Sequence, residues 1–417
     1  MSGFISRRSL LAGAGATALL APLAACSGPP SASGGALEFF QFKSEAIKLF
    51  DRICAEYNAT GPKVQVQQNA QPDSETALRV RLVKGDMPAL VTVNGNYNFG
   101  ALARAGVFYD FSQSALITGV SPAIAAILPT LGRGGPGEVN AVPFANNGSG
   151  IIYNREIFEQ HRLQPPSTWD ELIAIADELQ GKGVDPFYWG FKDNWTGAPM
   201  FSSLSGGFLN GQVAAWYEKR RLGQVSFGDL KPVFDKMRQL SRYGNGNKYE
   251  VGYNDGNQGF AGGRSAMYVH GSYAIPAIRS YNDKIRLGTF ATPADKAEDS
   301  RVVSGVDVAL TFGKQPVDGA MEFYTYLMAE KNMAAYCAEQ VAFPTLTGME
   351  PDDEALEGLV PYFKAERLAT YSDHAFPQGV NLNNYMQQFL INGDTDAFIR
   401  TLDAQWNKVI ARINSTL

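Results

Sequence analysis

Residues 137–183 read GEVNAVPFANNGSGIIYNREIFEQHRLQPPSTWDELIAIADELQGKG, and this stretch decides the fold. Its apolar runs predict a strand and turn over residues 139–144 and a second strand over residues 150–154. Thr168 and Glu171 have the spacing of a capping box, which predicts the start of a helix. Apolar side chains then recur at helical spacing and form a buried stripe of Leu172, Ile175, Ala176 and Leu179. The stretch therefore alternates strands with a helix, as α/β proteins do.

The same alternation extends in both directions along the chain. Toward the N-terminus we predict strands over 37–42, 64–68 and 89–93 and helices over 44–57 and 75–84. Ser44 has the side-chain chemistry of an N-cap for the first of these helices. Toward the C-terminus we predict a strand over 285–290 and helices over 382–391 and 395–413. This order indicates an α/β sheet with helices on both faces, in which ligands bind beyond the carboxyl ends of the strands.

The first 26 residues have the organisation of an export signal. Arg7 and Arg8 precede an apolar run and resemble the twin-arginine signal, which exports folded proteins. Leu23-Ala24-Ala25-Cys26 resembles the bacterial lipobox, in which the cysteine is acylated and becomes the first mature residue. We therefore expect a signal peptide over residues 1–25, then the lipidated Cys26 and a flexible tether up to residue 36, anchored at the outer face of the cell membrane. A spanning anchor is the alternative, but the apolar run is shorter than the roughly 20 residues that a spanning helix takes.

The charge balance argues against a nucleic-acid partner. The chain carries 36 Lys and Arg against 41 Asp and Glu, and removal of residues 1–25 leaves 34 basic residues. Nucleic-acid binding takes a basic face, which this composition does not supply. The three histidines show no metal-ligand spacing with one another or with cysteine, and the sequence has no Gly-rich phosphate loop. We therefore expect no nucleic-acid partner, no metal and no cofactor.

Two cysteines remain when Cys26 is set aside as the lipid site. Cys54 and Cys337 both lie in helical patterns. Buried cysteines commonly act as small apolar residues, whereas an oxidising compartment also permits a disulfide between them. The sequence leaves both alternatives open.

The central stretch resembles the sugar-binding group of the bacterial extracellular solute-binding proteins. The matching motifs are a Val-Pro-aromatic crossover, a Tyr-Asn-x-x-x-Phe block and a Pro-Pro-x-Thr-Trp-x-Glu-Leu block. In this chain they are Val142-Pro143-Phe144, Tyr153-Asn154 with Phe158, and residues 165–172. Weaker matches follow in the family's order over residues 260–273, 322–344 and 390–406. The resemblance thus covers nearly the whole chain beyond the tether.

The resemblance implies a two-lobed periplasmic-binding-protein-like fold, with each lobe a sheet flanked by helices and the ligand in the cleft between the lobes. Lobe one would comprise residues 37–141 and 301–343, and lobe two residues 145–298 and 346–417. The chain would cross between the lobes near residues 142–144, 294–301 and 343–345. Hinge bending at these crossings would close the cleft around the ligand. The family further implies a monomer that is not an enzyme. As the substrate-binding protein of an ABC transporter, it would capture a sugar or oligosaccharide and deliver it to the permease subunits for import.

Loops at the predicted strand ends carry the mixture of aromatic and polar side chains that suits a sugar. Aromatic rings stack on the C–H faces of sugars, and a few placed polar groups grip their hydroxyl groups. Trp195 and Tyr273 are the candidate rings, and the resemblance places Gly305 and Asp307 at a Gly-rich strand entry close to the ligand. The candidate ligand-binding residues are Lys43, Glu45, Asn94, Tyr97, Asn146, Asn147, Trp195, Tyr273, Gly305 and Asp307.

Two other classes of function compete with a sugar-binding protein. A secreted carbohydrate-active enzyme needs two carboxylates that flank the scissile bond, but the sequence shows no nucleophile elbow or metal motif. A polyamine or metal binder of the same fold needs clustered carboxylates or clustered Tyr and His. Of the remaining tryptophans, Trp169 is expected in the core. Trp216 and Trp406 are expected on helices, in the core or at the surface, and Trp189 fits either the core or the cleft.

Overall fold

The computed structural model describes residues 35–71, 74–377 and 379–415. The predicted signal peptide, Cys26 and the tether up to residue 34 lie outside these residues. The chain from Ala36 onward forms one compact unit.

Strands and helices alternate through the first half of this unit, and helices prevail in the second half. The strands are β1 Leu37–Gln41, β2 Val66–Ala70, β3 Leu90–Val93, β4 Val142–Asn154, β5 Asp185–Phe187, β6 Ser265–Gly271, β7 Leu287–Phe290, β8 Val302–Thr311, β9 Phe343–Pro344 and β10 Leu368–Ala369. The helices up to β6 are α1 Ile47–Ala59, α2 Ser74–Val83, α3 Tyr97–Arg104, α4 Pro122–Ala125, α5 Ile127–Leu131, α6 Arg155–His161, α7 Trp169–Gly181, α8 Ala198–Phe208, α9 Val213–Arg221, α10 Lys231–Leu240 and α11 Tyr253–Ala261. Those beyond β6 are α12 Ala274–Tyr281, α13 Asp318–Leu327, α14 Glu330–Gln340, α15 Val360–Lys364, α16 Leu382–Asn392 and α17 Thr395–Asn414.

Two long, buried strands link the described parts of the sheet. The strand order is β2-β1-β3-β8-β4-β6-β5, with β7 and β9 also paired to β4 and β10 to β8. β1 is parallel to β2 and β3. The pairs β3–β8, β8–β4 and β4–β6 are antiparallel. Since β4 and β8 run beside each other through the centre, side chains from both converge where β1 and β3 end.

The strand prediction around residues 139–154 is wrong in one respect, because the two expected strands form the single strand β4. Asn146 and Asn147 are turn formers by propensity, but here they pair with Val306 and Gly305 of β8. Pairing with the neighbouring strand overrides the local preference, as is common for buried strands. Register shifts between Pro143 and Asn146 absorb the irregularity.

The two predicted helix starts have opposite outcomes. The capping box of α7 is confirmed, since Thr168 Oγ1 accepts from the Glu171 amide at 3.4 Å and the Glu171 carboxylate accepts from the Thr168 amide at 3.2 Å. Ser44 does not cap α1. It instead begins a short 3-10 turn over Ser44–Ala46, where its hydroxyl donates to the Glu45 carboxylate at 3.1 Å.

Two large clusters of buried apolar side chains lie toward opposite ends of β4 and β8. One cluster draws on residues 37–145 and 308–342, and another on residues 151–303 and 369–409. The second cluster contains Trp169, Trp189, Trp216 and Trp406. All these tryptophans are therefore core residues, which settles the open alternative for Trp189.

Cys54 and Cys337 are buried free thiols. Burial raises the pKa of the Cys54 thiol to about 12 and raises that of Cys337 as well. A thiol that does not ionise is a poor nucleophile and redox partner. Of the two alternatives, the structure supports small apolar core residues.

Candidate functional site

A cleft opens where β1 and β3 end, above the middle of β4 and β8. The space between its walls is about 820 Å³, including the part that is open to solvent. The predicted site residues that line it are Lys43, Glu45, Asn94, Asn147, Trp195, Tyr273 and Asp307. They come from loops and strands spread over more than 260 residues, and the sheet brings them together.

Strand ends position the polar side of the cleft. Lys43 follows β1, where its amide donates to Gln41 Oε1 at 2.7 Å, and Asn94 follows β3 directly. Val93 pairs with Ala309 of β8, so Asp307 lies just beyond the end of β3. The parallel strands β1 and β3 thus deliver their following residues to the same edge.

Lys43 and Asp307 form an ion pair at the bottom of the cleft. Lys43 is 6% exposed and Asp307 is 7% exposed. Removing two charges from water is costly, and mutual pairing offsets that cost only while both partners remain. The pair therefore leaves this part of the cleft polar but without net charge.

Two aromatic rings form one wall. Trp195 lies in a 3-10 turn, Asn194–Gly197, and Tyr273 follows β6 at the start of α12. Both rings are half-buried. The Trp195 ring packs on Tyr253 at 4.8 Å between centroids, which fixes it from behind. Half-buried rings with a supported back face are suited to stacking on a ligand.

Asn147 is held by a hydrogen-bond network that reaches across the chain. The Tyr371 hydroxyl donates to Asn147 Oδ1 at 2.8 Å and also bonds the Ser149 hydroxyl. The Asn147 amide oxygen is therefore engaged by Tyr371, while its side chain lines the cleft.

Three of the predicted site residues do not line this cleft. Asn146 is fully buried, and its Nδ2 lies 3.4 Å from Ser304 Oγ. Because neighbours on a strand point to opposite faces, its side chain leaves the sheet on the face opposite to that of Asn147. Gly305 lies beneath Tyr371, where an added Cβ would come within 2.7 Å of that ring. Tyr97 lines an adjoining compartment of about 970 Å³.

The cleft also contains residues that the sequence reasoning missed. Tyr371, Asp373 and His374 line it, and the latter two also line the adjoining compartment. Asp373 Oδ1 accepts from Ser202 Oγ at 2.6 Å, and the Tyr371 and His374 rings stack at 4.7 Å. The available signal was a run of aromatic and polar residues, Tyr371-Ser372-Asp373-His374, but the segment has no regular pattern that would place it.

The sequence pattern of the family described as bacterial extracellular solute-binding protein matches residues 52–358. The chain belongs to this family. This family consists of extracellular solute-binding proteins rather than enzymes, so the protein lies outside the cytoplasm. Among residues 35–71, 74–377 and 379–415, no helix combines the length and apolarity needed to cross a bilayer.

Curated relatives of this extracellular solute-binding protein match over most of their length. A multiple sugar-binding protein of Streptococcus mutans is 29% identical over 312 residues, which is 72% of each chain. The sn-glycerol-3-phosphate-binding periplasmic protein UgpB of Shigella flexneri is 22% identical over 317 residues, or 70% of each chain.

Solved structures share the fold of this solute-binding protein. The binding protein RafE in complex with raffinose superposes with a TM-score of 0.76 at 24% identity, covering 90% of this chain and 99% of that one. A sugar transporter protein of Bacillus licheniformis in complex with stachyose gives a TM-score of 0.69 at 18% identity, covering 89% and 100%. These similarities confirm the predicted mixed α/β fold of the periplasmic binding proteins.

Proposed function

We propose that this solute-binding protein captures a neutral sugar or oligosaccharide for an ABC transporter and releases it unchanged to the permease. The observation that carries the proposal is the composition of the cleft. Trp195 and Tyr273 offer ring faces, while Asn94, Asn147 and Asp373 offer hydrogen-bonding groups around them. Stacking on C–H faces and gripping of hydroxyl groups is the chemistry that a sugar requires.

The charges in the cleft favour a neutral ligand over an anionic one. Its lining includes the carboxylates of Glu45, Asp307 and Asp373, against the single ammonium of Lys43, which is already paired. Such a lining opposes a phosphate ester through like-charge repulsion. A glycerol phosphate ligand, which the name of one relative suggests, is therefore disfavoured here.

Polyamine and metal ligands are less well supported. A polyamine needs several uncompensated carboxylates near aromatic rings, and Lys43 neutralises Asp307. Within the described ranges, no group of three His, Cys, Asp or Glu side chains could hold a metal ion. Because the carboxylates of Glu45 and Asp373 also line the cleft, the binding test must include a polyamine.

Capture would proceed by hinge closure between two lobes. Lobe one would comprise residues 37–141 and 301–343, and lobe two residues 145–298 and 346–417. The two large apolar clusters toward opposite ends of β4 and β8 support this division. Pro143 and Pro344 at the crossings restrict the backbone and so favour a directed hinge. The chain would act as a monomer with the permease as its partner.

A thermal-shift screen tests the ligand class. The panel holds neutral mono- to tetrasaccharides, with spermidine and sn-glycerol 3-phosphate as the rival classes. A bound sugar at about 100 times its Kd should stabilise the protein by about 2.7 kcal/mol. The same sugar should then be recovered intact after long incubation with catalytic amounts of protein. A shift with spermidine or the phosphate ester alone would reassign the ligand, and a cleaved or modified sugar would indicate an enzyme.

The lipid anchor has its own test. Leu23-Ala24-Ala25-Cys26 and the Gly/Ser/Pro tether support acylation of Cys26. Cys26→Ala should release the protein from the membrane fraction into the medium while its melting temperature stays unchanged. Cys54→Ala is the matched control, since that thiol is buried within the fold and its loss should leave the protein in the membrane. A Cys26→Ala protein that stays in the membrane fraction contradicts the anchor.

A further inference from the structure

His270 lies directly behind the aromatic wall of the cleft. It is the sixth residue of β6 and is 3% exposed. Its ring contacts Tyr268 at 4.4 Å, Tyr253 at 5.4 Å and Trp195 at 5.7 Å between centroids. Because these rings surround the imidazole on several sides, its position and orientation are fixed by packing.

The imidazole is neutral under physiological conditions. Burial among the rings lowers the pKa of His270 to about 3. A neutral imidazole has one nitrogen that donates and one that accepts a hydrogen bond. A buried phenol hydroxyl nearby is a suitable donor for the accepting nitrogen.

Tyr273 supplies that hydroxyl. Its Oη lies 3.4 Å from His270 Nδ1. Its ring packs against Gly271, where an added Cβ would come within 2.3 Å of Tyr273 Cε1. The absence of a Cβ at Gly271 thus leaves the space that the ring occupies, and the Tyr273 hydroxyl is directed toward His270.

We infer that His270 is a positioning residue for the ligand: its Nδ1 accepts a hydrogen bond from the Tyr273 hydroxyl and holds that ring in its stacking orientation. The inference rests on the proposed sugar-binding function, since the orientation of Tyr273 matters only if the ring meets the ligand. His270 itself does not line the cleft.

A set of variants separates this role from simple packing. His270→Asn introduces an amide oxygen that can accept a hydrogen bond in place of Nδ1, whereas His270→Leu has a similar size and no acceptor. Tyr273→Phe removes only the hydroxyl. We expect His270→Leu and Tyr273→Phe each to lower sugar affinity by about 2- to 12-fold, the range of one hydrogen bond. His270→Asn should retain most of the affinity, and His270→Leu combined with Tyr273→Phe should lose no more than either alone.

The measurement is sugar titration of each variant, with a ligand-free melt. Additive losses in the double variant, or an equal loss in His270→Asn and His270→Leu, would overturn the positioning role while leaving sugar binding by the wild type intact. The ¹⁵N shift of His270 Nδ1 in ligand-free protein decides the hydrogen bond independently, because it should change in Tyr273→Phe. An unchanged shift overturns the inference even if the His270 variants do not fold. If the wild type binds no sugar of the panel, the proposed function itself fails.

Discussion

Asp307→Ala is expected to lower the free energy of unfolding by about 3–5 kcal/mol, because it leaves the buried ammonium of Lys43 without its partner. The Lys43 side chain is 7% exposed, so water can replace the lost carboxylate only in small part. Sugar affinity should fall as well, since an uncompensated charge would then lie at the bottom of the cleft. Chemical denaturation with and without ligand measures both effects.

Glu350→Ala provides the matched control. Glu350 pairs with Lys364 at 2.8 Å, but both side chains are 59% exposed. Exposed pairs contribute about 0–1 kcal/mol, so this variant should stay close to the wild type in stability. Adding Lys43→Met to Asp307→Ala should recover part of the loss, because the unpaired charge is removed. Equal stability of Asp307→Ala and Glu350→Ala would contradict the buried ion pair.

The sequence indicates the position of the cleft because several polar residues that line it follow predicted strands. Lys43 comes after β1 and Asn94 after β3, and parallel strands deliver such residues to one edge. This position does not depend on the exact strand bounds, which differ from the predicted ones by two residues at β2 and by one residue at β3. Trp195 lies in a polar, Gly-containing loop and lines the cleft, while its contact with a ligand stays a prediction.

What the sequence missed depends on register and on distant contacts. The Asn146 side chain points to the opposite face from Asn147 because both residues lie inside β4. A turn was expected at this point, so the sequence did not predict that alternation. Tyr371 reaches Asn147 across 224 residues of chain. Its segment lies between the short strand β10 and α16, with only a brief 3-10 turn at Asp373–Ala375. No local periodicity could therefore predict which of its side chains enter the cleft.

Trp195→Ala and Tyr273→Ala are each expected to weaken sugar binding about 5- to 150-fold, if stacking of a nucleobase on an aromatic ring is taken as a guide. Both rings are half-buried at the cleft wall, so part of each ring surface is free for the ligand. The loss should appear as faster dissociation, since the approach of the sugar to the cleft is unaltered. Titration of sugar into each variant measures the affinity.

Trp216→Ala distinguishes a ligand platform from a core ring. Trp216 is 8% exposed and packs among Tyr217 and Phe227, so its truncation should cost about 3–5 kcal/mol of stability. Its folded fraction should still bind sugar with unaltered affinity, which is the reverse of the result expected for the cleft rings. If Trp195→Ala and Tyr273→Ala instead melt as Trp216→Ala does and bind as the wild type does, both rings are core residues. The ligand would then have to be held by the polar groups around Asp373 and Asn147, which favours a smaller and more polar solute than a stacked sugar.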